Sequence, residues 1–324
     1  MSVLVTGGAG YIGSHTVLAL LESGEDVVVV DNLVAGNRSA VKGGKFYLGD
    51  VRDEEFLDVV FKKHDHDIEA VIHFAAYSLV GESVRDPLKY YDNNVRGTIN
   101  LLNSMKANGV KNIVFSSTAA VYGEPKQIPI TEEDDTNPTN PYGECKLAVE
   151  KMLKWASYSG DVNYVALRYF NAAGAHESGE IREDHNPETH LIPIILEAAL
   201  GKRDKVVIFG NDYDTDDGTC IRDYIHVMDL ADAHILALRR LRTKGDSKVY
   251  NLGNGMGFSV KQVIDKAKEV TGVDIPVEVG DRRLGDPAVL VASSERAKRE
   301  LNWKPKRNDL GRIIEDAWRA LSCK

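Results

Sequence analysis

The sequence predicts an α/β protein: a doubly wound parallel sheet with a second, smaller mixed α/β domain. Three observations carry that expectation. Short β-branched runs alternate with longer helical patterns through the first half of the chain. The runs are continuously apolar rather than alternating, which marks strands covered on both faces. A glycine cluster stands directly between the first run and the first helical pattern, the place where the Rossmann version of this sheet meets its ligand.

Taken in order, Ser2–Thr6 reads as a strand followed by a helix to about Gly24. Val27–Asp31 is the second strand and Lys45–Asp50 the third, with Asp53–His64 its helix. Ala70–Phe74, Asn112–Ser116 and Tyr164–Tyr169 continue the strand series. Helical stretches around Leu88–Asn108 and Tyr142–Ser159 separate them. After about Phe170, glycines, acids and prolines mark loops at Gly174–Glu188 and Gly210–Gly218. Helices are expected at Ile192–Leu200, Val227–Arg242, Val260–Thr271 and Leu310–Leu321. The division falls at 1–170 for the sheet domain and 171–324 for the smaller one. It is expected to be discontinuous, because strand-like Lys248–Leu252 can return to the first sheet with part of 210–255.

Composition excludes several classes of function. The chain of 324 residues suits about two domains, and 43% apolar residues suffice for a sizeable core. Asp and Glu number 49 against 40 Lys and Arg, a net charge of −9. No basic patch offers itself to nucleic acid. Cys145, Cys220 and Cys323 are odd in number and far apart, which supports neither a disulfide framework nor a zinc site. No apolar run approaches the ~18 residues of a membrane span, and Met1–Val5 lacks the charged region of a signal peptide. A cytoplasmic protein without membrane or nucleic-acid partners is expected.

Thr6-Gly7-Gly8-Ala9-Gly10-Tyr11-Ile12-Gly13 contains two overlapping glycine patterns. Gly8, Gly10 and Gly13 fit one; Gly7, Gly10 and Gly13 fit the other. A tight turn, close approach of backbone to a pyrophosphate and a helix N-terminus facing the anion all require such spacing. Asp31 ends the next strand 18 residues after Gly13, near the ~20 expected of a ribose-binding acid. A carboxylate there accepts from a free 2′-hydroxyl and repels a 2′-phosphate, which selects NAD over NADP. Asp50, at the end of the third strand, is placed to face the adenine.

Tyr142 and Lys146 form Y-x-x-x-K after Pro141, a residue suited to a first helical turn. Four residues apart on a helix, they share one face. An ammonium beside a phenol favours the phenolate and brings it toward useful acid–base strength. The strand ending in Ser116-Ser117-Thr118 adds hydroxyls at a strand C-terminus, and Thr118 is placed to share a substrate proton with Tyr142.

Further motifs run the length of the chain: His73-Phe74-Ala75-Ala76, Val80-Gly81-Glu82-Ser83, Asn93-Asn94-Val95, Leu167-Arg168-Tyr169-Phe170-Asn171, Phe209-Gly210-Asn211-Asp212-Tyr213, Arg222-Asp223-Tyr224-Ile225-His226 and Asn251-Leu252-Gly253. With the glycine cluster and the Tyr142/Lys146 pair, they resemble the extended short-chain dehydrogenase/reductase family over essentially the whole chain. The resemblance implies NAD-dependent inversion at C4 of a UDP-sugar through a 4-keto intermediate, and a homodimer built on the helices around Leu88–Asn108 and Tyr142–Ser159. It implies a catalytic set of Tyr142, Lys146 and Thr118. The cofactor set it implies is Gly7, Gly10, Tyr11, Ile12, Gly13, Asp31, Asn32, Asp50, Val51, Phe74, Ala75, Ala76, Asn94, Ser116, Tyr142, Lys146 and Tyr169. The implied sugar-nucleotide set is Ser78, Thr118, Asn171, His190, Leu191, Val207, Phe209, Arg222, Tyr224, Arg283, Asp286 and Leu290. Within it, Asn171 would hold the nucleotide-sugar, Arg222, Arg283 and Asp286 would grip diphosphate and ribose, and Leu191, Val207 and Phe209 would line the base pocket.

The chain departs from the family pattern at four places. Ser78 stands where many members have a lysine, Thr118 replaces a serine, and His190 replaces an asparagine. Leu290 occupies a position resembling a pocket gate, where a tyrosine narrows the sugar pocket of some members. A leucine there predicts some acceptance of N-acetyl sugars. Two rivals are a 4,6-dehydratase and a non-catalytic nucleotide sensor. The first needs an acid–base pair where this chain has Ala119-Ala120; the second has no use for Tyr142 with Lys146. No metal site is expected. His64-Asp65-His66 reads as a solvated face, and Asp212–Gly218 misplaces the glycine and final acid of a calcium loop.

Overall fold

The computed structural model describes residues 1–64, 67–185, 187–283 and 286–322. The first part contains β1 (Ser2–Thr6), α1 (Tyr11–Glu22), β2 (Asp26–Asp31), β3 (Lys45–Leu48), α2 (Glu54–Lys63) and β4 (Ile68–His73). Next come α3 (Val80–Arg85), α4 (Pro87–Tyr90), α5 (Gly97–Ala107), β5 (Asn112–Thr118), α6 (Pro141–Tyr158) and β6 (Asn163–Tyr169). Beyond it follow β7 (Asn171–Ala173), α7 (Leu191–Ala199), β8 (Val206–Phe209), β9 (Ile221–Arg222), β10 (Tyr224–His226), α8 (Val227–Lys244) and β11 (Lys248–Leu252). The chain ends through β12 (Phe258–Ser259), α9 (Val260–Thr271), β13 (Val277–Gly280), β14 (Val289–Leu290), α10 (Glu295–Leu301) and α11 (Leu310–Ser322).

Seven parallel strands form one sheet in the order β11-β6-β5-β4-β1-β2-β3. Strand periodicity sends Val3 and Val5 into the core on one face and Leu4 into the core on the other. The first face is covered by α1 and α8, with Leu230, Leu238 and the fully buried Trp303. The second takes Leu57, Phe61, Leu101, Met105 and Leu153 from α2, α5 and α6. A separate core gathers Ile192, Ile195 and Leu196 of α7, Val263 and Ile264 of α9, and Ile313 and Ile314 of α11. The order reverses between β1 and β4, which opens a crevice at their carboxyl ends.

Lys248–Leu252 does return to the sheet: it is β11, paired in parallel with β6. The stretch expected as one helix over Leu88–Asn108 is α4, a π turn at Tyr91–Arg96 and α5. The third strand stops at Leu48, so Asp50 lies in the turn beyond it. The fifth runs to Thr118, two residues past the expected end. The short pairs β7/β10, β8/β13 and β12/β9/β14 were not foreseen, because two to four residues carry too little periodicity to register. Asp65, His66 and Cys323 lie outside the described residues.

A buried ion pair fixes α6 against the sheet. Arg168 at the end of β6 donates from Nε to Glu150 Oε1 at 2.9 Å and from Nη2 to Oε2 at 2.5 Å. Its Nη1 reaches the Tyr122 hydroxyl at 2.9 Å, while Ser117 on β5 donates to the same Glu150. Removing one member leaves the other charge buried alone, which typically costs about 3–5 kcal/mol. The helix that carries Tyr142 and Lys146 is thereby locked to the strand that carries Thr118.

Candidate active site

The crevice is a cleft of about 670 Å³ running from the glycine turn, past Asp31, to Ser116, Thr118, Tyr142, Lys146 and Tyr169. At its dinucleotide end the turn is close-packed. Gly7 has φ of +72°, and a Cβ there would stand 2.5 Å from Ala75 N. A Cβ on Gly13 would stand 2.1 Å from Gly7 O. Gly10 caps α1 with no side chain satisfying the first amides, so these donors and the helix dipole face the cleft. Asp31 is held by Ala9 N at 2.9 Å and Leu33 N at 2.8 Å. Burial raises its pKa, and those two amides oppose the rise. The uncapped amides and the oriented carboxylate fit the pyrophosphate and ribose of a dinucleotide.

At the chemical end, Asn140 caps α6 by accepting from Gly143 N at 2.9 Å, and Pro141 occupies the first turn. Gly143 packs so closely that a Cβ would lie 2.6 Å from Ala120 O. That contact brings Tyr142 to the turn following Thr118. Burial pushes the Tyr142 phenol up to about 12, against the hydrogen bond of the Thr118 side chain. Lys146 is 3% exposed. Its Nζ donates to Ser116 O at 2.7 Å and stands 6.0 Å from the Tyr142 ring centroid. Burial brings its pKa down to about 7, although Cys145 and Glu150 oppose the shift. The ammonium expected to activate Tyr142 is thus itself disfavoured by burial.

Most of the expected cofactor set lines this cleft: Gly7, Gly10, Tyr11, Ile12, Gly13, Asp31, Asn32, Val51, Phe74, Ala75, Ala76, Ser116 and Tyr169, with Tyr142 and Lys146. Two members do not. Asp50 is engaged by Arg52 at 2.8 Å and Asn32 at 2.9 Å, and the Arg52 hydrogen bond holds its carboxyl well below the usual range. Asn94 lies in the π turn, where its amide accepts from Tyr77 N at 2.8 Å and donates to Tyr77 O at 3.0 Å. It positions the loop after β4. Such π turns often mark functional sites.

Ser78, Thr118, Asn171 and His190 of the expected sugar-nucleotide set also line the cleft. The rest lie on β8, β9, β10, β14, the start of α7 and the loop between β13 and β14. Arg222 Nη2 lies 3.2 Å from Asp286 Oδ1, and the Arg283 guanidinium stacks 3.9 Å from the Phe209 ring centroid. Val207 and Phe209 share β8, and Leu191 begins α7. Tyr224 is packed in the core of the second part. Leu290 pairs with Arg222 in register and packs against the core of Val121, Tyr122, Ile130 and Leu147.

Sequence reasoning passed over two features. His234 on α8 stacks 4.7 Å from Phe74 behind the cleft, with nothing in its spacing to signal this. Glu183, His185, Glu188 and His190 converge at the cleft mouth, with one ligating atom from each within 4.8 Å of the others. Burial lowers the pKa of each imidazole, but the two carboxylates prevail, holding His185 up at about 9 and His190 at about 10. The i, i+2 and i, i+5 offsets of a loop give no periodic sign of this convergence.

Residues 3–253 match the family model described as the NAD dependent epimerase/dehydratase family. A UDP-glucose 4-epimerase of Halalkalibacterium halodurans is 61% identical over 98% of this chain and 95% of its own length. A crystal structure of a UDP-glucose 4-epimerase superposes with a TM-score of 0.97 at 56% identity, covering 99% of this chain and 97% of that one. The UDP-glucose 4-epimerase of Brucella ovis, solved in complex with NAD, superposes with a TM-score of 0.95 at 47% identity, covering 98% and 97%. With its cradle, its tyrosine–lysine pair and this breadth of likeness, the chain belongs to the NAD dependent epimerase/dehydratase family.

Proposed function

We propose that the chain interconverts UDP-glucose and UDP-galactose by inverting C4 through a 4-keto sugar, using NAD held on the glycine turn and Asp31. The observation that carries this reading is the convergence of Tyr142, Lys146 and Thr118 at the carboxyl end of β5, in one cleft with a dinucleotide cradle. The names of the relatives support it. NAD, held on the glycine turn and Asp31, would supply the hydride acceptor for sugar C4, and its nicotinamide charge would favour the Tyr142 phenolate. Tyr142 Oη takes the proton of the 4-hydroxyl and gives it back after the keto-sugar has turned over. Thr118 Oγ1 shares that proton. Lys146, tied to Ser116 O, orients the pair and adds its charge. Asn171 and His190 line the sugar side, and Arg222 and Arg283 provide the planar donors suited to a diphosphate. Elimination of the 4,6-dehydratase type is disfavoured, because the turn after Thr118 presents Ala119 and Ala120, which transfer no protons.

Two copies are proposed to pair through α4, α5 and α6. Leu88, Trp155 and Tyr158 are 78%, 70% and 87% exposed on these helices, an unusual outlay of large apolar surface. A net-acidic chain without a membrane-length apolar helix among its described residues is read as a cytoplasmic protein.

Tyr142→Phe is expected to lower turnover by ~10²–10⁴-fold, the usual weight of a general acid–base group, while the protein keeps its NAD. Near-normal turnover in that variant overturns the assignment. Because Leu290 packs on the turn that follows Thr118, Leu290→Tyr is expected to reduce conversion of UDP-N-acetylglucosamine relative to UDP-glucose. An unchanged ratio removes Leu290 as the gate. Sedimentation is expected to give twice the chain mass, and Trp155→Glu with Leu88→Glu the single mass; a wild-type monomer contradicts the pairing.

A further inference from the structure

The cluster at the mouth of the cleft has the chemistry of a metal centre. Glu183 and Glu188 are 8% and 6% exposed at their side chains, and the partners facing them are the imidazoles of His185 and His190. Nδ1 of His190 is 2.9 Å from Glu183 Oε1 and 2.9 Å from Glu188 Oε1. Nδ1 of His185 is 3.1 Å from Glu183 Oε1 and 3.6 Å from Glu188 Oε2. That nitrogen is buried and makes no hydrogen bond. Two carboxylates buried so deeply need positive charge between them, and a divalent ion supplies it when both imidazoles act as neutral ligands. With one ligating atom taken from each residue, the four lie within 4.8 Å of one another, close enough to share a single ion.

We infer that Glu183, His185, Glu188 and His190 form a binding site for one divalent transition-metal ion, best matched by Zn²⁺. Two imidazole nitrogens argue against magnesium and calcium, which take oxygen ligands. Four protein ligands leave no open position, so the site is structural rather than catalytic. Supporting contacts orient the ligands: Glu188 Oε1 accepts from Thr189 N and His190 N, each at 2.7 Å, the kind of outer-shell hydrogen bonding that holds metal ligands in place.

The location gives the ion a job. His190 caps α7, and the His185 ring meets Tyr11 of the glycine turn edge-on at 6.3 Å between centroids. Tyr11 in turn donates to Gly174 O at 2.6 Å, at the start of the same long loop. The loop also touches the dinucleotide half through Asn37 Nδ2 and Asp184 Oδ2 at 3.4 Å. A metal there would tie Glu183 and His185 to Glu188 and His190 beside the glycine turn without entering the reaction.

The test uses tag-free, full-length protein, dialysed against chelator and then titrated with zinc chloride. One Zn²⁺ per chain is expected by elemental analysis, with a rise in the melting temperature. Loading with Co²⁺ is expected to give the intense visible bands of a tetrahedral site. His185→Gln and Glu188→Gln should each weaken zinc binding by at least ~10-fold, the lower end of what even supporting residues contribute to metal sites. The cobalt spectrum of the wild type decides the matter if either variant fails to fold. Absence of stoichiometric zinc, an octahedral cobalt spectrum, or equal zinc binding by folded His185→Gln would overturn the assignment and leave a cluster of protonated histidines against glutamates.

Discussion

A methyl group on Gly13 would sit 2.1 Å from the carbonyl oxygen of Gly7, and one on Gly7 would strike the backbone of Ala75. The turn between β1 and α1 is therefore pressed against the loop after β4, at the point where strand order reverses. The rest of the site depends on this approach. It leaves the first amides of α1 uncapped and aimed into the cleft. It brings the loop Phe74–Ala76 alongside, and that loop is secured from behind by Asn94, whose amide holds Tyr77 on both backbone groups. The same crevice receives the carboxyl ends of β5 and β6, so cradle and chemistry share one cavity.

The electrostatics follow from burial more than from net charge. A chain of net charge −9 places a lysine and a tyrosine side by side in the interior, and desolvation works against the charged form of both. Burial raises the pKa of the phenol and lowers that of the ammonium. A cationic nicotinamide held in the cleft would add positive charge beside Tyr142 and favour its phenolate. Away from this pair, Arg222 is salt-bridged to Asp286 and Arg283 lies over the Phe209 ring.

Much of this was legible in the residues because it repeats or spans long segments. Continuous apolar strands, the glycine turn and the 18-residue step to Asp31 are local patterns with one physical reading each. The four-residue step from Tyr142 to Lys146 survives in the structure because Asn140 and Pro141 start the helix where that spacing becomes a shared face. What could not be read depends on contacts between distant segments. The engagement of Asp50 by Arg52 and Asn32 has no sign in the strand pattern. The Glu183–His190 cluster arises from an irregular loop folding on itself, and loops have no period to detect. The π turn at Tyr91–Arg96 is helical in sequence and becomes wider only where Asn93 and Asn94 must turn inward.

If one bound dinucleotide carries hydrogen from C4 of the sugar back to the same carbon, Tyr142 handles only the proton. The most direct measurement follows an isotope at that carbon. UDP-galactose carrying deuterium at C4 is incubated with the protein as purified, without added NAD, and the product is examined by NMR. The account predicts UDP-glucose that retains the deuterium at C4. Product in which that position has exchanged with solvent hydrogen would contradict it.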